Sequence, residues 1–313
     1  MSNLITNLSV SNMRKILSIV FATFALSTSF AQQDPQFSQF MHNRLFVNPA
    51  YAGSNDAFCF NLLYRDQWDR FGGGPKSAVL GVDGPVELLH GGLGISFLSD
   101  KPGLQKNTNF KLAYAYRFDL GSGKLAFGID GGLLQRGYNE DEIVAKDKND
   151  PFLPKGSDSK FDLGAGVYFN SEKVYLGISS SHLMEGEFEY DKVKSENVRH
   201  YYFMGGYNWE LNPTFTLKPS VFVKSDAVET QLDVNLNLHI KDRFWIGGSY
   251  RLEDAVVAMA GVNITEDFRV GYAFDFTTSK IKDYSQGTHE IFIGYCFKIK
   301  KKALPMLRNV RFL

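Results

Sequence analysis

The sequence predicts an all-β protein, a transmembrane antiparallel up-and-down β-barrel of about 14 strands with a short N-terminal periplasmic segment. Three observations predict it. Long runs alternate between apolar and polar residues, an export signal precedes them, and the connections between them sort into short and long ones. The mildly negative mean hydropathy of −0.20 fits a barrel, because only alternate residues of its strands face lipid.

The N-terminus has the features of a secretory signal. Residues 13–31 read MRKILSIVFATFALSTSFA, in which Arg14 and Lys15 precede an apolar run and small residues precede a cleavage site after Ala31. The apolar run spans about 15 residues, fewer than the roughly 20 that a membrane-spanning helix needs. We therefore predict a signal peptide over residues 1–31. Whether translation starts at Met1 or Met13 stays open.

The strand pattern is clearest in residues 228–240, VETQLDVNLNLHI, where one face is mostly Val, Leu and Ile and the other is polar throughout. Such a period of two indicates a strand with one apolar and one wet face. Residues 109–118 and 269–276 repeat it, whereas Trp245 and Phe222 lie on nominally polar faces. We predict strands over residues 57–300, starting near residues 57, 77, 91, 107, 123, 160, 172, 198, 213, 228, 243, 255, 267 and 286.

The connections between these strands agree with a barrel. With the N-terminus in the periplasm, even-numbered connections should be short turns and odd-numbered ones should include long outer loops. The short ones are residues 87–90, 120–123, 170–173, 210–213, 241–242 and 265–267, and the longest are residues 139–159 and 182–197. An exported β-sandwich is the alternative, but its strands are usually shorter, about 5 to 6 residues.

Composition and motifs argue against several function classes. The chain has 34 basic and 34 acidic side chains, so it lacks the basic surplus of nucleic-acid-binding proteins. It contains no GxSxG or HExxH motif, and we predict no catalytic, cofactor-binding or metal site and no enzyme activity. Charges of both signs on the inward faces could line a water-filled pore or pair with a plug or partner; they are Arg65, Lys111, Arg117, Glu229, Asp233, Arg251, Arg269 and Asp275.

Two cysteines fall on the first and last strands. Cys59 lies near the start of strand one and Cys296 near the end of strand fourteen, and a closed barrel pairs these two strands. Both thiols are predicted to face the lumen at the periplasmic end. They could form a disulfide across the seam, or remain two free, small, inward-facing residues.

About 25 residues separate the signal from strand one, and they are rich in aromatic and turn-forming residues. Pro49 fixes one backbone angle, and Asn48 and Gly53 suit turns. Since the aromatic side chains of this segment would be costly to expose, we expect it to fold back against or into the periplasmic mouth of the barrel. It could plug the lumen, form a docking surface, or simply lead into strand one.

This region resembles the start of the PorP/SprF family of outer-membrane proteins. The resemblance rests on QDPQFSQFM (33–41), NPAYAG (48–53), YRDQW (64–68), GGP (73–75) and the C-terminal LPMLRNVRFL. It implies an accessory barrel of type IX secretion and gliding machinery, which helps to export or anchor a surface adhesin with a type B C-terminal domain. Other type IX secretion components and outer-membrane lipid are the further expected partners, with no nucleic acid and no cofactor.

The resulting interpretation has four segments: a signal peptide (1–31), a periplasmic or plug-like segment (32–56), an outer-membrane barrel (57–300) and a C-terminal tail (301–313). Candidate partner-binding residues are Asn48, Pro49, Tyr51 and Gly53 in the N-terminal segment and Asp141, Glu142, Glu185 and Glu187 in the two long loops. The alternative function is a general diffusion porin for small solutes.

Overall fold

The alternating runs form one closed antiparallel sheet in the computed structural model, which describes residues 34–138, 155–190 and 193–298. The predicted signal peptide, the tail and the candidate residues Asp141 and Glu142 lie outside these ranges. The strands are β1 (Phe58–Asp66), β2 (Lys76–Val86), β3 (Gly91–Lys101), β4 (Gln105–Leu120), β5 (Gly123–Tyr138), β6 (Ser157–Ser171), β7 (Val174–Ser181), β8 (Gly186–Tyr190), β9 (Val193–Asn197), β10 (His200–Tyr207), β11 (Trp209–Asn212), β12 (Phe215–Ser225), β13 (Thr230–Ile240), β14 (Phe244–Arg251), β15 (Ala255–Asn263), β16 (Phe268–Thr277) and β17 (Thr288–Phe297).

Three pairings join strands that are not consecutive in the chain. β1 pairs with β17, β7 pairs with β10 on either side of the β8–β9 hairpin, and β10 pairs with β12 on either side of β11. Because β11 continues the course of β10 along β12, the barrel wall has 14 strands. The predicted fold class is therefore confirmed, and each observed start lies within about three residues of its prediction, inside the usual error of strand boundaries.

The barrel is apolar outside and polar inside. On neighbouring positions of β4 and β5, Leu112 is 54% exposed and Ile129 is 64% exposed, whereas Lys111 and Asp130 are buried. A soluble sandwich places its apolar face inward, so this inverted arrangement indicates contact with lipid. Trp245 and Phe222 are buried inside the barrel, which explains why they interrupt the polar faces.

The two ends of the barrel differ as expected. One end, here called the short-turn end, carries brief connections such as residues 121–122, and the opposite, long-loop end carries the connections after β5 and β7. The predicted loop at 182–197 contains the β8–β9 hairpin, called the loop hairpin below, which the sequence analysis missed. Glu229 was predicted to face the lumen, but β13 begins only at Thr230, and Glu229 is exposed in the preceding turn.

Residues 34–57, called the lumen segment below, occupy the barrel interior. They contain the helix α1 (Arg44–Val47) and two 3₁₀ turns, Phe40–His42 and Pro49–Tyr51; further 3₁₀ turns are Glu87–Leu89 and Lys280–Asp283. No helix within the described ranges is long and apolar enough to cross a membrane.

Candidate functional site

The lumen segment runs the length of the barrel interior. Asp34 contacts His200, the first residue of β10, and Lys224, near the end of β12. Both lie at the long-loop end. Nineteen residues later, Gly53 contacts Asp83 and Arg117 near the short-turn end, where β1 begins. The segment thus extends well beyond the short-turn mouth at which the sequence analysis placed it.

An ionic cluster holds the segment near its start. The Ser38 hydroxyl donates to Asp275 (2.7 Å) and accepts from Arg65 (2.8 Å) and Arg251 (3.0 Å). Arg65 Nη2 lies 2.7 Å from Asp275 Oδ2. All four side chains are buried, and such buried charges are stable only when paired and hydrogen-bonded. The segment therefore completes a network that the wall alone leaves open.

Glu290 adds a second attachment at the same level. Its carboxylate accepts the backbone N–H groups of Ser38 (2.8 Å) and Gln39 (2.7 Å) and pairs with Arg65 (3.1 Å). Hydrogen bonds to a charged acceptor are stronger than neutral ones. Glu290 is fully buried. The segment therefore supplies hydrogen-bond donors to this carboxylate, and the carboxylate supplies acceptors for the segment's backbone.

Aromatic and cationic contacts fix the middle of the segment. Phe40 stacks on Phe222 at a centroid distance of 5.2 Å, and His42 stacks on Phe292 at 4.1 Å. The Arg44 guanidinium lies 3.7 Å from the centroid of the Tyr175 ring, a cation–π geometry. The segment is therefore packed laterally on several strands.

Asn48 anchors the next turn. Its side-chain oxygen accepts the Ala50 N–H at 3.0 Å and caps the Pro49–Tyr51 turn. Its side-chain amide donates to the carbonyls of Val167 (3.1 Å) and Ile178 (3.3 Å). This side chain therefore shapes the turn and attaches it to β6 and β7.

Glycines in the wall allow the segment to approach closely. A Cβ placed on Gly128 would lie 2.1 Å from the Ala50 nitrogen, and one on Gly92 would lie 2.2 Å from the Ala52 carbonyl oxygen. Both distances are far inside van der Waals contact. Only glycine lets the backbones meet at these positions.

The end of the segment is held by opposite charges. The Gly53 N–H donates to Asp83 at 2.8 Å, and Arg117 donates to the Gly53 carbonyl. Asp56 pairs with Arg117 (2.9 Å) and Lys124 (3.2 Å). Partial burial of the Asp56 carboxyl opposes its ionisation, but these two cations outweigh that effect and hold its pKa below the ordinary value.

The two cysteines meet at the β1–β17 seam. Cys59 and Cys296 are register partners, with Cα atoms 4.1 Å apart and sulfur atoms 2.15 Å apart. Cys59 is fully buried on the lumen side. The geometry of a disulfide is therefore present where the barrel closes.

The loop hairpin packs one face on the barrel and exposes the other. Phe188 is fully buried, with the Arg136 guanidinium 4.8 Å from its ring centroid, and Arg136 donates to Asn197 at 3.0 Å. The exposed face carries Glu187, Glu189, Lys194 and Glu196, three acidic groups and one basic group. Lys194 pairs with Glu187 (3.0 Å) and Glu189 (2.8 Å).

The candidate partner-binding residues thus fall into two groups. Asn48, Pro49, Tyr51 and Gly53 are buried among residues of this chain, whereas Glu185 and Glu187 are exposed at the long-loop end. Sequence reasoning missed Ser38, Glu290 and the glycines that receive the segment. The available signal was the run of small residues at inward positions of β3, β5, β6 and β7.

Several solved structures have a similar shape but low sequence identity to this chain. Omp33 of Acinetobacter baumannii matches 78% of this chain and 98% of its own at 7% identity and a TM-score of 0.44. The toluene transporter TodX of P. putida matches 83% and 95% at 8% identity and a TM-score of 0.46. The toluene transporter TbuX of Ralstonia pickettii matches 83% and 94% at 8% identity and a TM-score of 0.47.

A family model gives a more specific result. No curated protein matches the chain in sequence. The model described as "Type IX secretion system membrane protein PorP/SprF" matches residues 29–295. This range contains the whole lumen segment and nearly all of the barrel, and it includes Asn48 and Gly53, which bond to the wall. The chain therefore belongs to the PorP/SprF family of type IX secretion outer-membrane barrels.

Proposed function

We propose that this protein is an accessory barrel of the type IX secretion and gliding machinery that binds an exported adhesin through its long-loop end. The adhesin would carry a type B C-terminal domain, and other type IX secretion components would be further partners. In the proposed orientation the long-loop end faces outward, and the short turns and the start of β1 face the periplasm. The proposed role is binding and transport support, without a catalytic step.

The observation that carries the proposal is the occupied lumen. Hydrogen bonds to buried charged groups of the wall, aromatic stacking and backbone contacts hold the lumen segment along the barrel interior. A barrel filled in this way is poorly suited to diffusion of solutes. Its exposed, structured surface at the long-loop end is better suited to recognition.

The loop hairpin is the favoured contact surface. Its buried face, with Phe188, fixes it to the barrel, while Glu187 and Glu189 point outward. Among the described residues, the exposed face has three carboxylates and one ammonium group, a net charge of −2. Such a surface favours approach of a basic partner surface. The buried motif residues Asn48, Pro49, Tyr51 and Gly53 would act indirectly, by keeping the segment seated.

Site-specific photo-crosslinking in intact outer membranes tests this proposal. A crosslinking amino acid replaces Glu187 on the loop hairpin, and a matched control replaces Leu88, which is 88% exposed at the short-turn end. We expect the Glu187 position to capture a protein with a type B C-terminal domain and the Leu88 position not to capture it. Equal capture at both positions, or capture at neither, would contradict recognition through the hairpin.

Single-channel recording tests the porin alternative. We expect the wild-type protein to show no large, steady conductance in planar bilayers, and a variant lacking residues 34–53 to show one. A large conductance of the wild-type protein would favour the porin.

A further inference from the structure

Two histidines flank the loop hairpin and meet the start of the lumen segment. His182 follows β7, and His200 begins β10 just after the hairpin. Both rings are buried. His182 Nε2 lies 3.1 Å from Asp34 Oδ1, and His200 Nε2 lies 3.3 Å from the Asp34 backbone nitrogen. One ligand atom from each of the three residues lies within 4.8 Å of the other two.

Each of these groups is held by a further partner. His182 Nδ1 lies 2.7 Å from Asp162 Oδ2, and His200 Nδ1 lies 2.9 Å from the Val198 carbonyl oxygen. A proton on each Nδ1 satisfies these acceptors. The Nε2 lone pair of His182 then faces the Asp34 carboxylate, and that of His200 accepts the Asp34 backbone N–H, which a bound ion would replace. The other Asp34 carboxylate oxygen accepts the Tyr202 hydroxyl. Metal-binding histidines and carboxylates are characteristically oriented by such outer hydrogen bonds.

The backbone at His182 also points to a fixed role for its ring. This residue has a φ of 57°, in the left-handed region that most non-glycine residues avoid. The neighbouring Leu183 N–H donates to the Leu163 carbonyl at 3.0 Å and holds the turn. A strained backbone conformation persists only where surrounding contacts enforce it, and such residues are often found at ligand sites.

We propose that Asp34, His182 and His200 bind a divalent transition-metal ion, specifically Zn²⁺. Two neutral imidazoles and one carboxylate are a ligand set that zinc uses, with water in the fourth position. Calcium and magnesium prefer oxygen ligands alone, and Cu(I) prefers sulfur. The ion joins His182 and His200, the residues before and after the loop hairpin, to Asp34 at the start of the lumen segment. Bound metal therefore stabilises the hairpin on the barrel.

Two nearby lysine side chains repel a bound dication, and this repulsion can be tested by substitution. Lys224 Nζ donates to the Asp34 carbonyl at 2.7 Å, and Lys111 Nζ lies 3.9 Å from Asp162 Oδ2. The competing explanation is a protonated His182 bonded to both Asp34 and Asp162, with no metal. If a dication binds here, removal of the Lys224 charge strengthens its binding. If the site holds only a protonated His182, the same removal does not change the zinc content.

Zinc content of the purified protein tests the proposal. The mature protein, carrying no histidine tag, is stripped with a chelator in detergent, dialysed against Zn²⁺ and analysed by mass spectrometry of the metal. We expect one zinc per chain, an affinity at least ten-fold lower in Asp34→Asn and His200→Gln, and a several-fold higher affinity in Lys224→Met. His289→Gln is the matched control, since His289 lies on the β17 wall and contacts Tyr272. Heat-modifiable gel mobility verifies that each barrel is folded.

Proteolysis gives a second readout. Lys194 is exposed on the hairpin, and we expect zinc to slow tryptic cleavage there in the wild type and in His289→Gln but not in His200→Gln. Less than half an equivalent of zinc in the wild type would overturn the proposal. Equal losses of affinity in His200→Gln and His289→Gln would do the same.

Discussion

Replacing Ser38 with alanine should loosen the lumen segment while leaving the barrel intact. The substitution removes the hydroxyl that donates to Asp275 and accepts from Arg65 and Arg251. The backbone bonds of Ser38 and Gln39 to Glu290 do not depend on this side chain. The change therefore weakens one layer of the attachment.

The expected size follows from the charged partners. Hydrogen bonds to charged groups contribute about 1.5 to 3 kcal/mol. Arg65 and Asp275 still pair with each other, at 2.7 Å, so the losses at the three partners do not add fully. We expect the lumen segment to be destabilised by about 2 to 3 kcal/mol in total, which raises its detached population roughly 30- to 150-fold.

Hydrogen exchange followed by mass spectrometry measures this population. Amides in peptides covering residues 38–47 should exchange faster by the same factor, whereas peptides from β4 and β5 should not change. Ser159→Ala is the matched control, because Ser159 is exposed on β6. If exchange over residues 38–47 in Ser38→Ala matched that of the control, the ionic cluster would not be what retains the segment.

Three further predictions concern the seam, the wall glycines and pH. Peptide mapping without reductant should recover Cys59 linked to Cys296, and two free thiols in the native protein would contradict this. Because the cysteines are 237 residues apart, Cys59→Ser should lower the free energy of unfolding by up to about 5 kcal/mol. Gly128→Val should expel the segment at the Ala50 turn and raise conductance in planar bilayers, and a closed channel would count against the close approach. Asp56 has a lowered pKa, so its stabilising effect is complete above the ordinary carboxyl pKa of 3.8 and is lost as the pH falls through the lower value. The denaturation midpoint of wild type should therefore approach that of Asp56→Asn on acidification, and a constant difference from pH 6 to pH 2 would refute it.

The barrel wall was predictable because lipid imposes a local rule on every strand. The alternation in residues 228–240 identifies the lipid-facing side of that strand without any information about the strands beside it. The apparent exceptions Trp245 and Phe222 were informative as well, since large aromatic groups at inward positions require something to pack against. The sequence could not say whether that partner was another strand or the lumen segment.

The contacts of the lumen segment were harder to predict because they join distant parts of the chain. Ser38 meets Arg65 and Asp275, which are 27 and 237 positions away, and no local pattern records such a meeting. The same holds for His182 and His200, which appear isolated in sequence but converge on Asp34. The loop hairpin escaped detection because its strands are only five residues long and rich in Glu and Lys.

The course of the lumen segment has a practical consequence for fusion proteins. Asp34 lies at the long-loop end, whereas β1 starts at the opposite end, so anything joined ahead of Asp34 must reach that far mouth for the native packing to form. A compact reporter domain is much wider than the space beside the wall glycines. Affinity tags and fluorescent labels are therefore better inserted in exposed connections than placed directly ahead of Asp34.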